Sequence, residues 1–474
     1  MIQDDIVDCN MRPKKTIFIP IANRQQARNV LRTDILNTLL TNQDTRLVLF
    51  VPHFKLAVYQ REYVDARMVW IGVDETSLFF SFLDALFGRL ALFYIDSPTG
   101  RFLRRSWLFL ERRKPFSYGA AMLLSFILGH SRILRAFFRF LDYRLIRDNR
   151  YAAFFEKYKP DLIFSPRIDS TLDSSFLRHA RRRKIMTIGM ISAWDNITYS
   201  KYPFRVLPDK LIAYNEIIKN EAVRYLDIKR ENIYVSGWPH FDHYVKNKRI
   251  SREVFCLKLN IPLPKKIILF ASNGRSGVTE WQVLAMLDQA IGNRQIKGDV
   301  IILVRHHPAA DLIRGGVEYS DNIVFDNSKT LFREGGRSFS EILIKDMDHL
   351  ADTLFYSEVM ISTCSTMSID AAVFDKPIIN LAFDGWEKKP FHQSIVSAYR
   401  PNHAHYQPII KTGGVKIAYS LTELIGFINL YLENPSLDSA GRQMIVREQC
   451  WQLDGHSGKR IGEYLLSSIG VLKR

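Results

Sequence analysis

Cysteine is scarce and scattered. The four in 474 residues, Cys9, Cys256, Cys364 and Cys450, form no C-x-x-C pair. That argues against a disulfide framework or a cysteine-based zinc site, and for a reducing compartment. Long apolar runs are also missing. No stretch reaches the ~18 uncharged apolar residues that a spanning helix requires, and the richest, 118–129 (YGAAMLLSFILG), falls short. The opening MIQDDIVDCNMRPKK begins with acids and leads into no apolar core, so it does not read as a secretory signal. A cytoplasmic location is expected. No long segment is biased in composition, which argues against a mostly disordered chain, and no internal repeat is present.

What is present is enough apolar material for more than one core. At 47% hydrophobic content, a chain of this length suits two large domains. Near-continuous apolar runs such as 16–22 (TIFIPIA), 46–51 (RLVLFV), 266–271 (KIILFA) and 300–304 (VIILV) match strands buried on both faces. Helical patterns separate them, so right-handed βαβ units and parallel sheets are expected. The expected plan is an N-terminal Rossmann-like domain over 1–245, with a mostly helical insertion over about 77–159. A linker over 246–264, a second Rossmann-like domain over 265–437 and terminal helices over 438–474 complete it. Two such sheets facing each other leave a cleft, and ligands bind beyond the carboxyl ends of the strands.

Acidic charge is in the minority: 66 Lys and Arg against 49 Asp and Glu leave a net +17. Residues 101–150 hold 12 of the bases and 3 of the acids. Aromatic residues interleave there, including Phe102, Trp107, Phe116, Phe137 and Phe140. Cations for lipid phosphates and rings for the boundary suit an anionic membrane surface. Nucleic acid is disfavoured as a partner, since no recognition motif accompanies the charge. A plain solvated helix face is the bland alternative.

Three loops follow strands of the second half. Ser272-Asn273-Gly274-Arg275-Ser276-Gly277 is small enough for backbone amides to approach a phosphate, with Arg275 adding charge, although plain turns share this composition. Arg305-His306-His307-Pro308 sets a cation and imidazoles at a strand end. Ser362-Thr363-Cys364-Ser365-Thr366 carries more hydroxyls than a helix cap requires and suits an anion. Asp346-Met347-Asp348 matches D-x-D, but acids are ordinary in a first helical turn, so no metal is expected. In the first half, Trp194-Asp195-Asn196-Ile197 follows a strand. Asp195 is a candidate base if partly desolvated, with an Asx-turn as the alternative. Gly237-Trp238-Pro239-His240-Phe241-Asp242 reads mainly as a tight domain exit.

The order GWPHFD, small-residue loop, VRHHP and ISTCSTMSIDAAVFDKPIINLAFD resembles bacterial GT-B transferases of surface polysaccharides. The similar groups are the CDP-glycerol glycerophosphotransferase-like proteins and the capsule or 3-deoxy-manno-octulosonate transferases. The resemblance covers about 161–385. It implies two Rossmann-like domains and a donor nucleotide held by the second. Asn273, Gly274, Arg275, Arg305, Ser362, Thr363, Ser365, Thr366, Asp370 and Asp384 are the donor-side candidates, and Trp194 and Asn196 the acceptor-side ones. Asp195 and His307 are the catalytic candidates. No bound metal or other cofactor is implied. One departure stands out: glycerophosphotransferases carry a W-H-G-T-type element where this chain has Trp194-Asp195-Asn196-Ile197. A carboxylate in place of that histidine favours glycosyl transfer.

The expectation is therefore a glycosyltransferase on the inner membrane face. It would move a sugar from a nucleotide-sugar donor to a polysaccharide or lipid-linked acceptor. A polyol-phosphate transferase using CDP-glycerol or CDP-ribitol, a sugar-nucleotide epimerase and a non-catalytic assembly partner are the alternatives.

Overall fold

The computed structural model describes residues 15–74, 81–199, 203–273, 279–307, 316–326, 341–399 and 403–472. Seven strands build the first sheet: β1 (Lys15–Pro20), β2 (Thr45–Pro52), β3 (Met68–Val73), β4 (Leu162–Ser165), β5 (Met186–Met190), β6 (Lys210–Ala213) and β7 (Ile233–Val235). Six build the second: β8 (Lys266–Ala271), β9 (Val300–Arg305), β10 (Ile323–Asp326), β11 (Val359–Ser362), β12 (Ile378–Leu381) and β13 (Lys416–Ala418). All pairings are parallel. The orders are β3-β2-β1-β4-β5-β6-β7 and β10-β9-β8-β11-β12-β13. The strand order thus reverses between β1 and β4, and again between β8 and β11, which opens a crevice at each carboxyl edge.

The apolar runs form these strands because both faces are covered. Ile17 and Ile19 enter one core while Phe18 enters another; Leu47 and Leu49 part from Val48 and Phe50 in the same way. Side chains alternate across a strand, so a continuous run feeds two cores at once. The second sheet repeats the division, with Ile302 and Val304 on one side and Ile301 and Leu303 on the other.

Between β3 and β4 the described chain is helical, with Phe82–Ala91, Pro98–Arg104, Pro115–His130, Arg132–Leu145 and Ala152–Tyr158. Buried charges fasten this insertion to the sheet. Asp84 and Asp142 of the insertion meet Arg178 and Arg205, with Arg205 Nη1 2.7 Å from Asp84 and Nε 2.7 Å from Asp142. No single described helix is long and apolar enough to cross a membrane. Pro115–His130 and Arg132–Leu145 together reach that length and composition, but they meet at 97°.

Two regions differ from expectation. The 246–264 segment, read as a linker from its polarity, holds the helix Arg252–Lys258, capped by Ser251. Its Phe255 and Cys256 pack with Ile267, Ile301 and Leu303, so it belongs to the second core. The terminal helices divide between lobes. Ser439–Ile445 packs on Met367–Val373, whereas Ser457–Ser468 returns to the first lobe and lies on Asp34–Leu40. There Gly462 faces Thr38 so closely that an added Cβ would come within 2.5 Å.

Candidate active site

A cavity of about 300 Å³ lies between the lobes, beyond the carboxyl ends of both sheets. The helix Arg24–Leu31 delivers Arg24, Gln25 and Arg28 to it from the first lobe. Asn23 and Gln26 fix the start of that helix. Asn23 Oδ1 accepts from the amides of Gln25 (2.9 Å) and Gln26 (3.1 Å), and Gln26 Oε1 accepts from Asn23 N at 3.1 Å. This reciprocal cap aims two guanidinium groups, one turn apart, at the cleft.

The GWPHFD segment also contributes, beyond the structural role expected of it. Gly237 turns with φ of +81°, and a Cβ there would press within 2.5 Å of Ser457 Oγ, so only glycine fits. The turn presents Trp238, His240 and Tyr244 to the cavity. Burial, with the nearby Arg28 charge, holds His240 well below its ordinary value, so its ring is neutral. Its Nδ1 has no hydrogen-bond partner among the described residues.

From the second lobe come Ser272, Asn273, Arg305, His306, His307, Asp346, Ser365, Thr366 and Asp370. Arg305 closes β9 and is 6% exposed. Its Nη1 donates to Asp326 Oδ2 at 2.8 Å, and His349 Nε2 lies 2.9 Å from Oδ1 of the same carboxylate. Burial opposes the Asp326 charge, but His349 and Arg305 outweigh it and keep the carboxyl below its usual range. Arg305 is thereby locked in place. Asp370 accepts from Tyr244 Oη at 2.7 Å across the lobe boundary. Burial raises its carboxyl to about 6, against the opposing pull of Tyr244, Arg28 and Arg305.

The residues expected at the site divide. Arg305, His307, Asn273, Ser365, Thr366 and Asp370 share the cavity. Gly274 and Arg275 lie outside the described residues. Ser362 is buried, donating to Thr363 O (3.0 Å) and accepting from Asn380 Nδ2 (3.3 Å). Thr363 is also buried and takes Asn273 Nδ2 at 3.0 Å. Their hydroxyls hold the loop rather than face the cleft. Asp384 accepts from the Ile395 amide at 2.9 Å, away from the cavity. After β5 the cavity wall is Ser192 and Ala193. Trp194 packs edge-on against His405 and Tyr406. Asn196 is committed to Ser192 and Asp169, at 2.9 and 3.1 Å. Asp195 is half-buried in the same turn and does not line the cavity; its charge acts on the buried acids Asp169 and Glu221. In the D-x-D triplet the two acids part ways, Asp346 accepting from Leu343 N (3.0 Å) and Asp348 pairing with His243 (2.8 Å).

Two Rossmann-like sheets closing on a cationic cleft define a GT-B-type fold. The chain belongs to the CDP-glycerol:poly(glycerophosphate) glycerophosphotransferase family, whose model matches residues 204–467. A teichoic acid glycerol-phosphate primase of Bacillus spizizenii is 25% identical over 178 residues, 37% of this chain and 40% of the relative. The match therefore spans less than half of that relative's length. Among solved structures, a UDP-N-acetylglucosamine 2-epimerase superposes with a TM-score of 0.54 at 13% identity, over 97% of this chain and 98% of that one. The UDP-GlcNAc 2-epimerase from Neisseria meningitidis gives 0.53 at 14%, over 95% and 100%. The wall teichoic acid polymerase TagF gives 0.50 at 12%, over 97% and 90%. At such identities these structures establish the fold alone. The family favours the polyol-phosphate alternative over the sugar transfer expected from Asp195.

Proposed function

We propose that this protein transfers a polyol phosphate, with glycerol phosphate the first candidate, from a cytidine-diphosphate donor to a hydroxyl of a surface-polymer acceptor. The observation that carries the reading is the placing of cations on both walls of the cleft, Arg24 and Arg28 on one and Arg305 on the other. In glycosyl transfer the negative charge stays on the leaving diphosphate, so cations are needed on the donor wall. In phosphoryl transfer the reacting centre is itself anionic, and it is best stabilised from both sides.

The acceptor oxygen bonds to the distal phosphorus as the bond from that phosphorus to the bridging oxygen breaks. The electron pair leaves with cytidine monophosphate. His240, neutral and in the cavity wall, takes the acceptor proton. Arg305 and His307 steady the leaving phosphate. Asp195, the base expected from sequence, does not line the cavity and has no part in this step.

The acceptor is proposed to be held at the inner membrane face. The insertion exposes Phe116, Phe126, Ile133 and Phe137 beside the exposed bases Arg112, Arg113, Lys114 and Arg132, a pairing that suits an anionic bilayer.

The deciding assay offers CDP-glycerol and UDP-GlcNAc in parallel, with a glycerol-phosphate-primed acceptor. Cytidine monophosphate should be released only when acceptor is present. His240→Gln should lower kcat by about 10²-fold or more, while Asp195→Asn stays near wild type. Turnover of the UDP-sugar instead, or loss of activity in Asp195→Asn with His240→Gln active, would reject the reading.

A further inference from the structure

A second cavity, of about 450 Å³, lies on the opposite edge of the first sheet from the cleft. Its floor is at the amino-terminal ends of β5 and β6, where Thr187 and Asp209 line it. Its walls are cationic. Arg132 and Arg139 come from the helix Arg132–Leu145, Arg181 from the helix Thr171–Arg182, and Arg205 from the segment before β6.

The two acids that face this cavity are already engaged. Asp227 takes Arg135 at 2.6 and 2.7 Å and Arg139 at 3.1 Å. Asp209 accepts from the Thr187 amide and hydroxyl at 2.9 and 2.7 Å. The cations retain capacity. Arg205 is 1% exposed; it pairs with Asp84 and Asp142, yet its Nη2 has no hydrogen-bond partner among the described residues. The same holds for Nε and Nη2 of Arg139. Arg181 stacks over Tyr143 and makes no ion pair among the described residues. Buried guanidinium donors without acceptors are costly, and their planar fork matches phosphate oxygens.

An independent feature says what kind of molecule carries that phosphate. The helix that roofs the cavity turns an apolar face outward, with Ile133 82% and Phe137 52% exposed. Phe140 is both exposed and part of the cavity wall. The neighbouring helix also exposes Phe116, Leu123 and Phe126. A cationic pocket opening beside an apolar face fits an anionic amphiphile.

We propose that this cavity binds the phosphate headgroup of an anionic lipid, whose chains lie along the exposed edge of the Pro115–His130 and Arg132–Leu145 pair. The site deepens the membrane reading above and rests on it for its setting, but its test is separate. The full chain is titrated with dihexanoyl phosphatidylglycerol below its micellar concentration, with dihexanoyl phosphatidylcholine, and with inorganic phosphate. Phosphatidylglycerol should bind and raise the melting temperature. Phosphatidylcholine and inorganic phosphate should bind at least about tenfold more weakly, and Arg139→Gln and Arg181→Gln should each weaken phosphatidylglycerol by about tenfold. Arg181 is exposed, so its variant folds even if the Arg139 variant does not. Equal binding of both lipids, or unchanged affinity in Arg181→Gln, overturns the site. Inorganic phosphate binding as tightly as the lipid overturns the lipid assignment and leaves a free-phosphate site. In Phe116→Ser/Phe126→Ser, which leaves Phe137 and Phe140 on the helix beside the cavity, binding of the short-chain lipid should persist. Flotation of that variant on anionic vesicles is lost if the membrane reading is right and kept if it is wrong, so the two ideas fail separately.

Discussion

At the scale of the residue, the cleft is a place where burial sets charge. Asp370, at about 6, lies above its ordinary value of 3.8 because burial disfavours the anion. The unfolded chain ionises first as pH rises, so folding weakens between those two values and carries the full cost above pH 6. Asp370→Asn keeps an acceptor for Tyr244 and removes the buried charge. It should melt higher than wild type at pH 8, by up to about 3 kcal/mol in unfolding free energy, and show no gain at pH 3. Calorimetry at the two pH values checks this; an equal shift at both would mean that ionisation is not the cause. Arg305 makes the opposite case, a charge kept for the ligand. Arg305→Gln should weaken binding of a cytidine nucleotide by about tenfold or more, measured by titration calorimetry. Arg305 and His307 were legible because they end a strand that sequence marks clearly. Arg28 and His240 were not. The Asn23…Gln26 spacing signals a helix start, but whether the face carrying Arg24 and Arg28 meets solvent or a second lobe depends on packing between domains. His240 looked like part of a tight turn, and the turn is there; the turn is also what delivers the ring to the cavity.

At the scale of the element, the strands were readable because both faces are buried and the apolar runs are unbroken. β13, with only Lys416, Ile417 and Ala418, is too short for any period to register. The helix Arg252–Lys258 was missed because its apolar residues, Val254, Phe255, Cys256 and Leu257, are few and flanked by charge; Ser251, which caps it, was the available signal. The return of the last helix to the first lobe has no local signature at all. It is fixed by Asp242, whose carboxylate accepts from the amides of Ser457 (3.0 Å) and Gly458 (2.7 Å) at the helix start. Asp242 immediately follows the cavity-facing turn, so the same acid anchors the terminal helix and steadies His240. Asp242→Ala should cost about 1–2 kcal/mol in stability, by urea unfolding. It should also lower turnover more than that loss of folded protein explains. Unchanged activity per folded molecule would separate the helix from the site.

At the scale of the whole molecule, a cleft works only if its two walls are held at a working distance, and one buried cluster spans that gap. Glu341 of the second lobe receives Arg32 Nη1 at 2.6 Å, Lys55 Nζ at 2.9 Å and Tyr59 Oη at 2.7 Å from the first. Glu341, Arg32 and Lys55 are all buried. Removing one partner of a buried ion cluster leaves desolvated charge behind, which typically costs about 3–5 kcal/mol. Two ways of relieving that cost are open to Glu341→Gln. The lobes can stay shut with the Glu341 charge missing from beside Lys55 and Arg32, the latter still paired with Glu62 at 3.2 Å, or they can part and let water reach both cations. The interface also depends on Tyr244 with Asp370, which the variant leaves intact, so a partial opening is the cheaper course. The expected result is a larger radius of gyration in solution scattering, a lower unfolding midpoint, and a fall in kcat/KM. Cytidine nucleotide affinity should change less than kcat/KM, because the donor wall keeps Arg305 and Asn273 while the cations Arg24 and Arg28 move away with the first lobe. If scattering and turnover both match wild type, the spacing of the walls is set elsewhere, and Glu341 contributes to folding alone.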